Sequence, residues 1–231
     1  MSKNEIELTI LMPCLNEDKT IAFCIREAQD FIKNSGINAE ILIADNGSTD
    51  SSADTARSMG ARVITVSEKG YGNALIGGIN NALGKYIIMG DCDMSYDFLH
   101  LDEFISLLRS GADFVIGNRF KGGIENGAMP VLHRYFGVPL LSFLGRVLYK
   151  VKIGDFHCGL RGFSAEAVRK LDLKCPGMEF ASEMIGAFAK SGMKIYEIPT
   201  VLRRDGRKGR GHLRTFRDGF RHLIFMLKDA Y

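Results

Sequence analysis

Two carboxylates one residue apart, Asp91 and Asp93, close the stretch Tyr86-Ile87-Ile88-Met89-Gly90-Asp91-Cys92-Asp93-Met94-Ser95. The apolar part reads as a buried strand, and the chain turns where it ends. Side chains at i and i+2 can therefore converge on one point, where two like charges repel unless something positive lies between them. Hard carboxylate oxygens suit Mg²⁺ or Mn²⁺, which take one or two protein carboxylates and complete their shell with phosphate oxygens and water. Taken alone, the same Asp-x-Asp is also an ordinary solvated turn, so its surroundings must decide.

Those surroundings alternate strand and helix. Apolar runs at 6–12, 40–44, 62–66, 86–89 and 113–117 predict strands, and helical spacing of apolar residues predicts helices at 20–32, 51–59, 70–83 and 99–109. A further helix at 179–190 and a strand at 193–198 follow, the strand ending at Pro199. Strands separated by helices imply an α/β fold whose mostly parallel sheet is covered on both faces. Ligands of such sheets bind beyond the carboxyl ends of the strands. Three polar loops fall on that rim, at 13–18, 45–50 and 91–95, and they gather Glu17, Asp45, Asp91 and Asp93. A purely structural rim has no need of four acids, so a ligand site is expected there.

Composition narrows the partners. A chain of 231 residues with 46% hydrophobic side chains can bury one sizeable core. Five cysteines, odd in number and without a Cys-x-x-Cys pair, argue against a disulfide framework or a structural zinc site and fit a reducing cytoplasm. The opening residues carry no secretory signal, and no run reaches the about 18 apolar residues of a membrane span. The net charge of +3 is unevenly spread: 203–222 holds eight basic and two acidic residues, a local +6 that leaves −3 for the remainder. The chain thus divides into a body, 1–202, and a basic arm with a helix, 203–231. Such an arm suits phosphate, a membrane surface or nucleic acid; nucleic acid is set aside, because the acidic rim would repel it.

Six segments in order carry a resemblance: Pro13 with Asn16-Glu17; Asp45-Asn46-Gly47-Ser48-Thr49-Asp50; Lys69-Gly70-Tyr71-Gly72-Asn73-Ala74; Asp91-Cys92-Asp93-Met94-Ser95; Gly117-Asn118-Arg119-Phe120; and 155–163. Together they resemble family-two inverting glycosyltransferases, closest to the dolichyl- or undecaprenyl-phosphate sugar synthases. The resemblance implies a GT-A type fold, a UDP- or GDP-sugar donor and Mg²⁺ or Mn²⁺. It implies that Pro13, Glu17 and Asp45 hold the nucleoside, with Lys69 in the donor-binding set, and that Asp91 and Asp93 hold metal and diphosphate. Arg119 and Arg134 would meet an acceptor phosphate, and Arg203, Arg204, Arg207 and Lys208 match a loop that closes on the donor diphosphate. Two departures stand out: Asn46 where relatives commonly carry Asp, and Cys92 where they carry Ala.

The chemistry separates acceptors. Cleaving a sugar–diphosphate bond builds negative charge on the leaving group, which a metal clamp and cationic side chains stabilise. A polyprenyl phosphate is itself charged near neutrality and needs cations rather than a strong base. A hydroxyl acceptor, the alternative, needs a base. Asp155 is the candidate for that role; it equally suits the orientation of Arg161 or of a backbone turn. Asp93, Asp155 and Arg119 are accordingly the candidate catalytic residues. His157 and Arg161 suit structural and substrate-contact roles alike. A nicotinamide-dependent dehydrogenase, suggested by Gly70-Tyr71-Gly72, fails because Leu75 replaces the last glycine of the fingerprint.

Two stretches bear on a membrane. Leu213, Phe216, Phe220, Leu223, Ile224 and Leu227 share a helical face beside Arg214, Arg217, Arg221 and Lys228, a pattern that can lie in a headgroup layer. A second stretch, 135–149, carries Phe136, Leu140, Leu141, Phe143, Leu144, Val147 and Leu148, interrupted by Pro139. Core packing is the ordinary alternative for both. With a polyprenyl phosphate acceptor, the expectation is a cytoplasmic protein held peripherally on the inner face of the membrane. Relatives often continue into membrane spans, so a truncated chain and a form lacking the anchor are both open at Tyr231. Glu179 and Glu183, four apart, share a helix face. Homo-oligomerisation, the sugar and the nucleotide base are not legible.

Overall fold

The computed structural model describes residues 5–207 and 215–230. The elements run β1 (Leu8–Cys14), α1 (Ile21–Ser35), β2 (Ala39–Asp45), α2 (Ser52–Ser58), β3 (Arg62–Thr65), α3 (Tyr71–Asn81), β4 (Tyr86–Met89) and α4 (Asp102–Arg109). They continue with β5 (Phe114–Asn118), α5 (Arg119–Gly122), a π-helical turn (His133–Gly137), α6 (Val138–Tyr149), β6 (Arg161–Ser164), α7 (Ala165–Val168), α8 (Phe180–Lys190), β7 (Ile195–Pro199) and α9 (Thr215–Asp229).

Seven strands form one sheet in the order β3-β2-β1-β4-β6-β5-β7. All neighbours are parallel except β6, which runs antiparallel between β4 and β5. The central strands read as continuous apolar runs, as expected where helices cover both faces: Leu8, Ile10, Leu11 and Met12 of β1 and Ile87 and Ile88 of β4 are fully buried. In-register pairing of Cys14 with Asp45 brings the ends of β1 and β2 level, and Leu11 pairs with Met89 at the end of β4. The three acidic loops therefore leave the sheet on one rim.

β6 escapes a reading of periodicity. Arg161-Gly162-Phe163-Ser164 has no apolar run of its own, and its strand conformation comes from the open edges of β4 and β5 on either side. Arg161 is fully buried there, and its guanidinium donates to the backbone carbonyls of Cys158, Ala181 and Phe156 at 2.8–2.9 Å. It is a clip between loops, and Asp155 does not bond to it.

α9 packs on α8 and α6. Met226 and His222 are buried, His222 Nδ1 lies 2.9 Å from Ser182 Oγ, Arg221 donates to Glu179 at 2.5 Å, and Tyr149 donates its hydroxyl to Asp229 at 2.9 Å. Arg221 is thus spent on the body rather than on the expected basic stripe, while Phe220, Ile224 and Leu227 stay exposed. Lys208, Arg210, Leu213 and Arg214 lie outside the described residues, as do details of the Phe216 side chain.

Candidate active site

The first two rim loops are sewn together by side chains that bond to backbone. Ser48 Oγ accepts from Asn16 N at 2.9 Å, Asn16 Oδ1 accepts from Thr49 N at 2.8 Å, and Ser52 Oγ accepts from Glu17 N at 2.7 Å. Asn16 holds φ of 58°, a left-handed conformation that Asn tolerates better than most residues. Asp45 caps its own turn, accepting from Gly47 N and Ser48 N at 3.2–3.3 Å. Pro13 is the penultimate residue of β1, and its carbonyl accepts from Cys92 Sγ at 3.1 Å, which ties the strand end to the third loop.

Asn46 explains its own identity. Its amide donates to the carbonyls of Val66 and Glu68 at 3.1 and 2.8 Å, and its Oδ1 accepts from Gly70 N at 2.8 Å. An aspartate has no such donors. The Asn46 carbonyl in turn accepts from Lys69 Nζ at 2.8 Å, so the lysine lies over the Asp45–Gly47 turn. Just beyond, Gly70 and Gly72 let another chain segment touch the start of α3. A Cβ at Gly70 would stand 2.1 Å from the Pro176 carbonyl oxygen, and one at Gly72 1.9 Å from that of Cys175. These glycines serve backbone packing, a reason the sequence pattern alone does not disclose.

In the third loop, Asp91 accepts from the Tyr71 hydroxyl at 2.9 Å. Burial, and then the neighbouring Asp93 charge, push its carboxyl up to about 6. Asp93 Oδ1 accepts from Ser95 N at 3.0 Å and from the Ser95 hydroxyl. Met94, between them, holds φ of 71°. A bulky residue in that region is an outlier of the kind found at ligand sites.

Arg207 joins the acids. It donates to Asp93 Oδ2 at 2.6 Å, to Glu17 Oε1 at 2.9 Å and to Asp205. Glu17 is buried, which pushes its carboxyl up to about 7; the Arg207 charge opposes that rise and Asp93 adds to it. The segment carrying Arg207 is anchored beside the site: Gly206 N donates to the Asp93 carbonyl at 2.8 Å, and Arg203 pairs with Glu27 at 2.7 Å and Asp97 at 2.5 Å. Arg204 turns away, donating through its backbone to Glu125 and through its side chain to the Asn126 carbonyl. Of the three arginines expected at the donor, only Arg207 reaches the rim carboxylates Glu17 and Asp93.

A second polar centre follows β5. Arg119 clamps Asp155 with Nε to Oδ2 at 2.7 Å and Nη2 to Oδ1 at 2.8 Å, and its backbone N–H donates to Oδ2 at 3.1 Å. His157 N adds a further bond to Oδ1 at 3.2 Å. Asp155 is 0% exposed. Burial opposes the Arg119 charge, and the Asp155 carboxylate more than offsets that, raising the guanidinium above its ordinary value. Asp155 therefore orients Arg119, where the sequence left a base, Arg161 or a turn open. Arg134 stacks over the Tyr135 ring at 5.6 Å. Its neighbour His133 senses Arg119: burial, and then that charge, hold its imidazole below the ordinary range.

Sequence reasoning passed over Tyr71, Ser95, His133 and the clip at Asn46. Tyr71 stood inside a quoted glycine motif, and the acidic neighbour it meets is 20 residues away in sequence. No short-range pattern signals such a contact.

The chain is 40% identical over 224 residues to the "Low-salt glycan biosynthesis hexosyltransferase Agl6" of Haloferax volcanii, an alignment covering 96% of this chain and 54% of that protein. The chain thus spans about half the length of that relative. It is 28% identical to the "Dolichyl-phosphate hexose transferase" of the same organism, covering 92% and 89% of the two chains. Among solved structures, glucosyl-3-phosphoglycerate synthase from Mycobacterium tuberculosis in complex with Mn²⁺, UDP and phosphoglyceric acid superposes with a TM-score of 0.77. That match has 20% identity and covers 97% of this chain and 78% of the other, a likeness of GT-A fold. Residues 9–172 match the glycosyl transferase family 2 profile, and on that match over most of its length the chain belongs to glycosyl transferase family 2.

Proposed function

We propose that this domain transfers a hexose from a UDP- or GDP-sugar to a polyprenyl phosphate, with inversion, using Mg²⁺ or Mn²⁺. The observation that carries the reading is the guanidinium of Arg207 held between Glu17 and Asp93 beside Asp91. Three carboxylates, those of Glu17, Asp93 and Asp205, hold one guanidinium at the sheet rim, an arrangement made for positive charge and phosphate.

The donor set fits a hard divalent cation. Asp91 and Asp93 offer carboxylate oxygens on one turn, and among the described residues no three His, Cys, Asp or Glu side chains form a metal cluster. Two protein ligands leave room for diphosphate oxygens and water. When bound, the cation would neutralise charge developing on the leaving nucleoside diphosphate. This chain's own residues supply the rest. Glu17, Asp45 and the loop carrying Pro13 line the nucleoside side, Lys69 lies over the adjoining turn, and Arg207 is placed to exchange its carboxylate partners for phosphate oxygens. Tyr71 and Ser95 hold the two aspartates in place.

At the acceptor side, Asp155 has both oxygens committed to Arg119. That takes Asp155 out of the role of base toward a hydroxyl acceptor and supports an acceptor that arrives already charged. Arg119, positioned by Asp155, would bring the acceptor phosphate to the donor; Arg134, stacked on Tyr135, would act from the edge. The acceptor implies a cytoplasmic domain working peripherally at the inner membrane face, with 203–231 as its basic arm and helix. The test is incubation with radiolabelled UDP- and GDP-hexoses, Mn²⁺ and a polyprenyl phosphate. A chloroform-soluble, mild-acid-labile sugar phosphate is expected; transfer only to saccharide hydroxyls would overturn the acceptor assignment.

A further inference from the structure

α6 is apolar on both sides. Toward the body it buries Ser142, Gly145 and Tyr149 and half-buries Leu141 and Leu148 against the core, and a Cβ at Gly145 would stand 2.3 Å from the Phe156 ring. A second apolar set points outward: Phe136, on the preceding π-helical turn, and Leu140, Phe143 and Val147 recur at intervals of four, three and four, and all are 53–66% exposed. A core-facing helix ordinarily keeps its outer side polar. Solitary exposed apolar residues need no explanation, but a contiguous stripe marks an interaction surface.

Charge says what covers it. From Asn126 to Gly154 the chain contains no Asp or Glu, while Arg134, Arg146, Lys150 and Lys152 are all present. Arg134 and Arg146 lie over the rings of Tyr135 and Phe143, at 5.6 and 5.9 Å, with their charge at the border of the stripe. An apolar face edged by cations and free of acids complements a bilayer surface with anionic headgroups. A second copy of the chain is a poor fit, since a two-fold interface would press this basic face against itself. Length excludes spanning: the helical run from His133 to Tyr149 is roughly 25 Å long at about 1.5 Å per residue, short of a hydrocarbon core of roughly 30 Å. It suits a helix lying in the interface plane.

We infer that the outward stripe of α6, Phe136, Leu140, Phe143 and Val147 with Arg134 and Arg146, is the surface by which this domain docks on an anionic bilayer. The inference deepens the lipid-linked acceptor reading and rests on it. The stripe's own Arg134 is one of the two arginines of the proposed acceptor phosphate site, so docking through α6 sets the acceptor side of the site against the headgroup layer.

The test is co-sedimentation of the protein with phosphatidylglycerol-containing vesicles that hold no polyprenyl phosphate. The wild type, a Leu140→Glu/Phe143→Glu variant and a Phe220→Glu/Leu227→Glu variant in α9 are compared, with circular dichroism and UDP binding as fold controls. Expected are vesicle binding by the wild type and at least a tenfold loss in the α6 variant with fold and UDP binding intact. Equal partition of the α6 variant and wild type overturns the inference. So does a loss confined to the α9 variant, or a wild type that stays off vesicles while forming dimers that the α6 variant cannot form. A wild type that ignores vesicles yet glycosylates a short water-soluble prenyl phosphate defeats the docking face alone. Vesicle binding without any prenyl phosphate turnover supports the docking face and defeats only the acceptor reading.

Discussion

The guanidinium of Arg207 stands 2.6 Å from Asp93 Oδ2, and its other nitrogen 2.9 Å from Glu17. A side chain 114 residues away in sequence thus supplies the positive charge that the acidic loops require. In the proposed reaction the same charge has a second partner, the donor diphosphate.

Arg207→Gln separates these two roles. With the internal cation gone, Mn²⁺ measured by electron paramagnetic resonance without nucleotide should bind about thirtyfold more tightly, since a unit charge about 4 Å from a divalent ion is worth roughly 2 kcal/mol even at the dielectric of water. UDP affinity, by calorimetry, should fall. Unchanged Mn²⁺ affinity would mean that the arginine and the metal do not share a site.

Asp93→Ala should abolish sugar transfer while leaving the circular dichroism spectrum unchanged, and EDTA should do the same to the wild type reversibly. Full turnover in EDTA would dispose of the metal.

Asp155→Asn weakens the clamp on a buried arginine. Breaking a buried pair from one side costs roughly 3–5 kcal/mol, so the midpoint of urea unfolding should drop sharply. An Arg119→Met/Asp155→Leu double variant should recover part of that loss. Were Asp155 instead a base, the asparagine variant would lose turnover with stability nearly intact.

Asn46→Asp keeps size but removes two donations to carbonyls. Leaving these groups unpaired should cost about 1–3 kcal/mol, read as a lower unfolding midpoint. An unchanged midpoint would show the clip to be dispensable.

His157 provides a pH signature. Its ring packs edge-on against His222 with centroids 4.5 Å apart, and its two nitrogens are buried without hydrogen-bond partners among the described residues. Burial, then His222 and the nearby arginines, hold its imidazole well below the ordinary value. The unfolded chain therefore takes up a proton that the folded one refuses. Stability from this group is complete above about pH 6.5 and declines below it. Glu17 and Asp91, with raised values, act in the opposite direction. The difference between wild type and His157→Phe isolates the histidine: the variant should lose less stability between pH 7.5 and 5.5 in urea titrations. Parallel pH profiles would contradict it.

The alternating strands and helices through β5, and the three acidic rim loops, were legible because each rests on a local signal: a buried apolar run, a helical period, a turn rich in Asp, Asn and Gly. The family motifs lie in those same segments. The shared side of Phe220, Ile224 and Leu227 on α9 was legible too, though the helix's partners were not, since burial of His222 and Met226 depends on where α8 and α6 lie.

Sequence by itself determined the fold class and which loops carry acids, because side-chain period and turn chemistry act over a few residues. Tertiary structure alone decided that Arg207 rather than Arg204 meets Asp93, that Asp155 serves Arg119 and not Arg161, that Tyr71 reaches Asp91, and that Leu140, Phe143 and Val147 of α6 face outward. Each of these pairs groups brought together by chain crossing, and the energy of a buried charge or an exposed apolar stripe depends on what surrounds it in space, which no spacing along the chain encodes.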